Sequence, residues 1–141
     1  MRVYMDSSAL IKRVIAEQES DQLVDFLDAH YQQADLLASS SLAWVEVSRA
    51  VLARAKSSTD AGELIDGAMS GIDERSMTAE VVSVARRIEP LVRRSLDAIH
   101  LATAVLIDAD LVVTYDDRLV DACRRNALAV ASPGRASPGR G

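Results

Sequence analysis

Several residue types are scarce in this sequence, and each scarcity excludes a type of protein. The single cysteine excludes an intrachain disulfide, and five aromatic residues (three Tyr, one Trp and one Phe) are too few for a surface on which bases stack. Basic residues number 16 against 21 acidic ones, so the formal net charge of -5 argues against broad attraction to nucleic acid. The glycine-rich motifs of dinucleotide-binding and P-loop proteins are absent as well.

Neither a signal peptide nor a membrane span is expected. Asp6 interrupts the N-terminal segment before the apolar region of a signal peptide could form. The most apolar later stretch, residues 98–113, contains His100, Asp108 and Asp110, and it is too short and too polar to cross a bilayer. We therefore predict a soluble protein of the cytoplasm, where thiols stay reduced.

Length and composition predict one globular domain followed by a short tail. The 141 residues suffice for a single core, and contents of 49% hydrophobic and 26% charged residues are ordinary globular values. The unit SPGR occurs at residues 132–135 and again at 137–140, and its Pro and Gly cannot continue a helix or a central strand. We assign residues 1–134 to the domain and residues 135–141 to a flexible tail.

Short apolar runs alternate with longer segments of helical spacing. The runs predict strands at residues 2–5, 35–38, 111–115 and 128–131. The longer segments predict helices at residues 21–30, 41–56, 60–69, 78–92, 96–107 and 120–125. This alternation predicts an α/β domain with a mainly parallel sheet and right-handed crossovers.

Single residues predict further details of these helices. Ser95 is expected to cap the N-terminus of the helix at residues 96–107. Asn126 is expected to end the helix at residues 120–125 in a left-handed conformation. The apolar spacing in the helix at residues 41–56 predicts an inward stripe of Leu42, Val45, Val47, Val51 and Leu52.

Two acidic residues directly follow predicted strands. Asp6 comes after the first apolar run, and Asp116 comes after the run that ends at Tyr115. Ligands of open α/β sheets bind outside the carboxyl ends of the strands, so both residues stand where chemistry is expected. An Asp in this position is also a common N-cap of the following helix, and that alternative stays open for each.

Two more acidic residues lie in apolar helical segments. Glu46 shares a helix face with Leu42 and Ala50, and Asp97 opens an almost wholly apolar helix. For Glu46 the alternative is a helix-surface ion pair with Arg49. For Asp97 the alternative is stabilisation of the helix dipole from the first turn.

Four carboxylates in one cleft would require protons or cations. Two like charges about 4 Å apart repel by about 4 kcal/mol at an effective dielectric constant of about 20. Oxygen ligands without His or Cys suit Mg²⁺ or Mn²⁺ better than zinc, and such an ion can activate water for attack on phosphorus. If the fold gathers Asp6, Glu46, Asp97 and Asp116, a phosphodiester is the natural substrate.

Other polar residues are expected to support this chemistry rather than perform it. His100 is interpreted as a hydrogen-bonded structural residue, and Cys123 as a small packed hydrophobe. Ser8 and Thr114 are placed to hydrogen-bond the acidic groups or a metal-bound water. Three basic residues close to the strand-end acids could hold a phosphate backbone: Lys12, Arg13 and Arg118.

With these residues in place, the chain resembles the PIN-domain ribonucleases, and specifically the VapC toxins of toxin–antitoxin pairs. The resemblance spans residues 1–134 and rests on the segments VYMDSSALIK, SLAWVEVSRAV, SLDAIHLATA, VVTYDDRLVDAC and AVASPG, in this order. It implies a three-layer α/β/α sandwich whose four acidic residues bind Mg²⁺ or Mn²⁺ and hydrolyse RNA. It also implies a toxin homodimer, neutralised by a small VapB-like antitoxin whose C-terminal segment occupies the toxin groove.

The resemblance assigns roles to individual acidic residues. It implies that Asp6 and Asp97 are metal ligands and that Glu46 and Asp116 complete the site, directly or through water. Asp117 doubles the acid at Asp116, and we choose Asp116 because it directly follows the strand.

Two other functions stay open: a catalytically silent PIN-like binding module, whose acids are caps and surface groups, and another Mg-dependent phosphohydrolase. Against a phosphoaspartate phosphatase, Ser8 stands where that class would need a second Asp.

Overall fold

One β-sheet organises the part of the chain that the computed structural model describes, residues 1–55, 57–89, 91–92 and 94–136. Its strands within these residues are β1 (Arg2–Met5), β2 (Leu36–Ser40), β3 (Asp73–Arg75), β4 (Leu111–Val113) and β5 (Val130–Ala131). They lie in the order β3-β2-β1-β4-β5, and every neighbouring pair is parallel. The predicted parallel sheet is therefore confirmed, with β1 at its centre.

Helices connect the strands. Over the same residues they are α1 (Ser7–Lys12), α2 (Ser20–Gln32), α3 (Ser41–Arg54), α4 (Ser58–Met69), α5 (Ala79–Ala85), α6 (Ser95–Leu106) and α7 (Asp117–Arg125). No helix in this part of the chain is long and apolar enough to span a membrane.

Alternate side chains of β1 enter two separate cores. Val3 and Met5 pack in the core that α1, α2, α3 and α4 form on one face of the sheet. Tyr4 packs in the core that α6 and α7 form on the other face. All three side chains are fully buried, because the central strand of a parallel sheet is covered on both sides. These layers confirm the predicted α/β/α sandwich.

Two elements have no counterpart in the predicted set. The edge strand β3 consists of Asp73, Glu74 and Arg75, all exposed, so no apolar run announces it. Helix α1 follows β1 without a connecting loop, since Asp6 is already its N-cap.

The helix predicted at residues 78–92 ends at Ala85. In the sequence, Pro90 disfavours helical backbone over the preceding turn. Pro90 itself lies outside the described residues.

The predictions for the two helix ends are wrong. Helix α6 begins at Ser95 itself, and Arg94 occupies its N-cap without a side-chain bond to the helix. Asn126 has a φ of -104° and donates its side-chain amide to the Ala122 carbonyl. The left-handed residue is Ala127, with a φ of 57°, and this turn lets the Leu128 N–H reach the Cys123 carbonyl at 2.9 Å.

The inward stripe of α3 is narrower than predicted. Ala43, Val47 and Val51, four residues apart, are fully buried. Val45 and Leu52 are 56% and 59% exposed, because they lie on a different side of the helix. The helix therefore presents apolar side chains to solvent as well as to the core.

A short segment after β5, residues 132–135, crosses the end of β4, and we call it the C-terminal strap. Ser132 donates a hydrogen bond to the Thr114 carbonyl, and the Tyr115 hydroxyl donates to the Pro133 carbonyl at 2.7 Å. Arg135, the first residue of the predicted tail, forms ion pairs with Asp117 at 3.1 Å and with Glu19 at 3.5 Å. Residues 137–141, including the second SPGR unit, lie outside the described residues.

Two glycines give opposite predictions for stability. Gly134 in the strap has a φ of +89°, and an added Cβ would lie 3.0 Å from the Cβ of Glu19. We expect Gly134→Ala to lower the free energy of unfolding by about 1–3 kcal/mol. Gly62→Ala, within α4 and with no atom within 4 Å of the added Cβ, should raise it by about 0.5–1 kcal/mol. Urea denaturation of both variants measures the difference, and equal stabilities would contradict the strained strap.

Candidate active site

Asp6 and Asp116 lie at the same edge of the sheet. In the pairing of β1 with β4, Met5 lies opposite Val113. Asp6 therefore stands beside Thr114, two residues before Asp116, and the Asp6 N–H donates to the Val113 carbonyl at 3.3 Å. The two strands that carry the predicted acids are thus neighbours, and their carboxyl ends form one edge.

The carboxylate of Asp6 is buried and held by three hydrogen bonds. Its Oδ1 accepts from the Ser8 hydroxyl at 2.6 Å and from the Ala9 N–H at 3.1 Å, and its Oδ2 accepts from the Thr114 hydroxyl at 2.6 Å. Burial raises the pKa of Asp6, while His100 and the two hydroxyls oppose this shift. The predicted bonds from Ser8 and Thr114 are present, and Asp6 is also the N-cap of α1.

Asp116 is the N-cap of α7. Its Oδ1 accepts from the Arg118 N–H at 2.9 Å, and its own N–H donates to the Thr114 hydroxyl at 3.0 Å. Thr114 therefore contacts both strand-end acids. The Asp117 side chain is 91% exposed and forms its ion pair with Arg135 of the strap. The two adjacent acids therefore have different partners: Asp116 binds the first turn of α7, and Asp117 binds Arg135.

Asp97 lies in the first turn of α6 and is buried. Burial raises the pKa of this carboxyl, and repulsion from Asp116 raises it further. Arg94 and His100 counteract the shift, whereas Asp6 adds to it. Asp97 therefore lies within electrostatic range of both strand-end acids, and its ionised form is destabilised by them.

Glu46 is bound by His100 rather than by Arg49. The Glu46 Oε1 lies 2.7 Å from the His100 Nε2, and the His100 Nδ1 lies 2.6 Å from the Tyr4 hydroxyl. An ionised carboxylate only accepts hydrogen bonds, so Nε2 carries the hydrogen in this pair. Burial raises the pKa of Tyr4, so its hydroxyl stays protonated. A buried chain of two hydrogen bonds thus connects the central strand to Glu46.

His100 is the residue whose importance sequence reasoning underestimated. It is buried and hydrogen-bonded, as its structural interpretation predicted. Its partner, however, is Glu46, one of the four acids that the sequence analysis predicts for the site. The available signal was its position three residues after Asp97, which places both side chains on the same side of α6.

Two of the three basic residues predicted to hold phosphate are engaged inside the protein. Lys12 is buried, and its Nζ lies 3.0 Å from Glu17, 2.7 Å from Glu19 and 4.4 Å above the Tyr115 ring. Arg13 donates to the Ala68 carbonyl at 2.6 Å and to the Ser70 carbonyl at 2.9 Å. The prediction is wrong for both, because their charges satisfy internal groups. Arg118 is exposed.

The remaining prediction for a single side chain concerns Cys123. It is fully buried in the core between the sheet and α7, and burial raises the pKa of its thiol to about 12. It is therefore a packed residue, as predicted, and its thiol is not a nucleophile at neutral pH.

The donor set of this edge fits a hard divalent cation. No three Asp, Glu, His or Cys side chains of the described residues form a preformed metal cluster. Asp97 is nevertheless affected by both strand-end acids, since burial raises its pKa and repulsion from Asp116 and, less, from Asp6 raises it further. A divalent cation would relieve this repulsion, and oxygen ligands favour Mg²⁺ or Mn²⁺.

The chain matches known proteins in sequence over most of its length. The sequence profile described as PIN domain matches residues 3–125. Ribonuclease VapC47 of Mycobacterium tuberculosis is 39% identical over 135 residues, which cover 94% of this chain and 97% of that protein. Ribonuclease VapC46 of the same species is 38% identical over 133 residues, 93% of this chain and 97% of that protein.

Solved structures share the fold at low sequence identity. VapBC2 from Rickettsia felis, bound to a DNA fragment from its promoter, aligns with a TM-score of 0.75 and 14% identity over 93% of this chain and 98% of that chain. The sarcin-ricin loop cleaving toxin VapC20 of M. tuberculosis aligns with a TM-score of 0.69 and 13% identity over 85% and 94%. With the sequence match over residues 3–125, these findings establish that the chain belongs to the PIN domain family.

Proposed function

We propose that the protein is a metal-dependent endoribonuclease that acts as the toxin of a VapBC-type toxin–antitoxin pair. The observation that carries this function is the edge at β1 and β4, where Asp6 and Asp116 end neighbouring strands and, after burial, their charges raise the pKa of Asp97. The VapC relatives with 36–39% identity are named ribonucleases, which supports RNA as the substrate.

Asp6, Asp97 and Asp116 would hold Mg²⁺ or Mn²⁺, and Glu46 would complete the site. When bound, the ion supplies charge neutralisation at the phosphate and makes a coordinated water more acidic. Ser8 and Thr114 fix both oxygens of Asp6, so this carboxylate keeps one orientation. His100, on α6, binds one oxygen of Glu46.

A small antitoxin is the proposed protein partner, and a second copy of the chain is the proposed dimer partner. Solved structures that share the fold include VapBC and FitAB proteins bound to DNA fragments, which supports the antitoxin. Several apolar side chains that are exposed on helices support contacts with other chains: Val45, Leu52, Leu96 and Val105.

Cleavage should depend on Asp97 and not on Asp117. With Mg²⁺ or Mn²⁺ present, we expect Asp97→Asn to lower the rate of RNA cleavage at least about 100-fold. Asp117→Asn is the matched control, because the exposed Asp117 side chain forms an ion pair with Arg135 and does not contact the other acids. This variant should cleave at nearly the wild-type rate. The measurement is cleavage of labelled RNA on gels. Activity in EDTA, or equal activity of both variants, would rule out the proposed reaction.

Metal binding should stabilise the wild-type protein. Free Mg²⁺ or Mn²⁺ at about 100 times its Kd would add about 2.7 kcal/mol to the free energy of unfolding. In EDTA, Asp97→Asn should unfold at a higher temperature than wild type, since the raised pKa of Asp97 means that its charge opposes folding. The same variant should gain less from metal. A binding module without a metal site would show no metal-dependent shift in thermal denaturation.

His100 should affect turnover through Glu46. His100→Ala is expected to lower kcat about 10–100-fold with little change in KM, because Glu46 loses its donor. His100→Gln retains an amide donor and should recover part of the loss. Thr103→Ala is a control for packing, since Thr103 is equally buried on α6 but bonds to the Ile99 carbonyl. If both His100 variants turned over at the same rate, a positioning role would be excluded.

A further inference from the structure

A pocket of about 470 Å³ opens beside Asp97, between the start of α6 and α7. Its basic lining consists of Arg94, Arg118 and Arg125, and we call it the arginine pocket. Its volume lies in the range of about 300–1,000 Å³ that is typical of sites for small organic ligands. Because Asp97 lines it, this pocket is continuous with the candidate active site.

The guanidinium groups of this pocket are available for an anionic ligand. Within the described part of the chain, neither Arg94 nor Arg118 forms an ion pair. Arg125 forms only a long ion pair with Glu89, at 3.9 Å, and its side chain is 53% exposed, so it can still reach a ligand. The pocket thus contrasts with Lys12 and Arg13, whose charges are used internally.

The local charge of the pocket differs from that of the whole chain. Its lining has two carboxylates, Asp97 and Asp121, against the three arginines. Asp97 is also a proposed metal ligand, and a bound cation would compensate its charge. The lining therefore carries one more positive than negative charge, with Glu89 beside Arg125, although the chain has a formal net charge of -5.

An apolar wall accompanies the arginines. Leu91, Val92 and Ala122 also line the pocket, and Leu91 is 59% exposed. Unpaired bases of single-stranded RNA stack on arginine planes, and bases taken out of the stack pack against apolar side chains. The arginines can donate hydrogen bonds to the phosphate of a nucleotide, and the apolar wall can contact its base.

We propose that the arginine pocket binds one nucleotide of single-stranded RNA next to the phosphodiester that is cleaved, an inference that rests on the proposed ribonuclease function. Arg118 and Arg125 bind the flanking phosphate, and the base lies against Leu91 and Val92. Arg118 follows the candidate edge directly in the chain, since its backbone N–H donates to Asp116 Oδ1 at 2.9 Å. The pocket thereby sets the position of the strand relative to Asp97.

The test compares one double variant with a single-charge control on the same helix. Arg118→Ala/Arg125→Ala removes the two phosphate donors. Arg124→Ala removes one charge from α7, but Arg124 lines a different cavity, near the C-terminal strap. Binding of a fluorescein-labelled single-stranded RNA is measured in EDTA, where no cleavage is expected, over a range of salt concentrations. Thermal denaturation verifies that each variant is folded.

The double variant should bind RNA more weakly and with less dependence on salt. Loss of two phosphate contacts should reduce the slope of log K against log salt concentration by about 1.4, and the slope of Arg124→Ala should stay at the wild-type value. In Mg²⁺ the double variant should show a raised KM and a kcat within about threefold of wild type, since uniform binding is lost and not chemistry.

Three results would overturn the assignment. An unchanged slope in the double variant, with wild-type RNA cleavage intact, would reject the pocket and leave the ribonuclease function standing. Displacement of the RNA by a polyglutamate peptide of matched charge, as effective as displacement by unlabelled RNA, would assign the pocket to an acidic protein segment. Wild-type protein that neither binds nor cleaves RNA would reject the pocket together with the proposed function.

Discussion

The buried carboxylate of Asp6 is the constraint on which the rest of the site depends. It joins three elements at once, since it ends β1, caps α1 and accepts a hydrogen bond from Thr114 after β4. Three donors offset the cost of removing this charge from water, yet burial still raises its pKa, so the compensation is incomplete. The fold retains a partly destabilised charge at the edge where we propose a metal site, as expected if stability is exchanged for function.

Local signals predicted the parts of the fold that local sequence controls. An apolar run followed by Asp marks the end of a buried strand, so β1, β4 and the positions of Asp6 and Asp116 were accessible from sequence. Strand β3 was not, because all of its side chains are exposed and it adds only backbone pairing at the sheet edge. The strained Ala127 was missed because the left-handed residue falls one position after the expected Asn126.

Contacts between distant segments were the part that sequence could not provide. The bond between Glu46 and His100 joins residues 54 positions apart, and nothing near either residue indicates the other. Lys12 was misassigned for a more local reason, since its partners Glu17 and Glu19 follow only five and seven residues later and approach it where the chain turns before α2. The net charge of the chain is likewise a poor guide, because the fold places some basic residues in internal ion pairs and others around the arginine pocket.

The C-terminal strap also affects when the site can exist. Strand β5 pairs with β4. The Ser132 hydroxyl donates to the Thr114 carbonyl, and the Pro133 carbonyl accepts from the Tyr115 hydroxyl. Ribosomes synthesise these residues after all four site acids, and domains fold as units during synthesis. A nascent chain therefore carries every acidic residue before it can hold the β4 end in place.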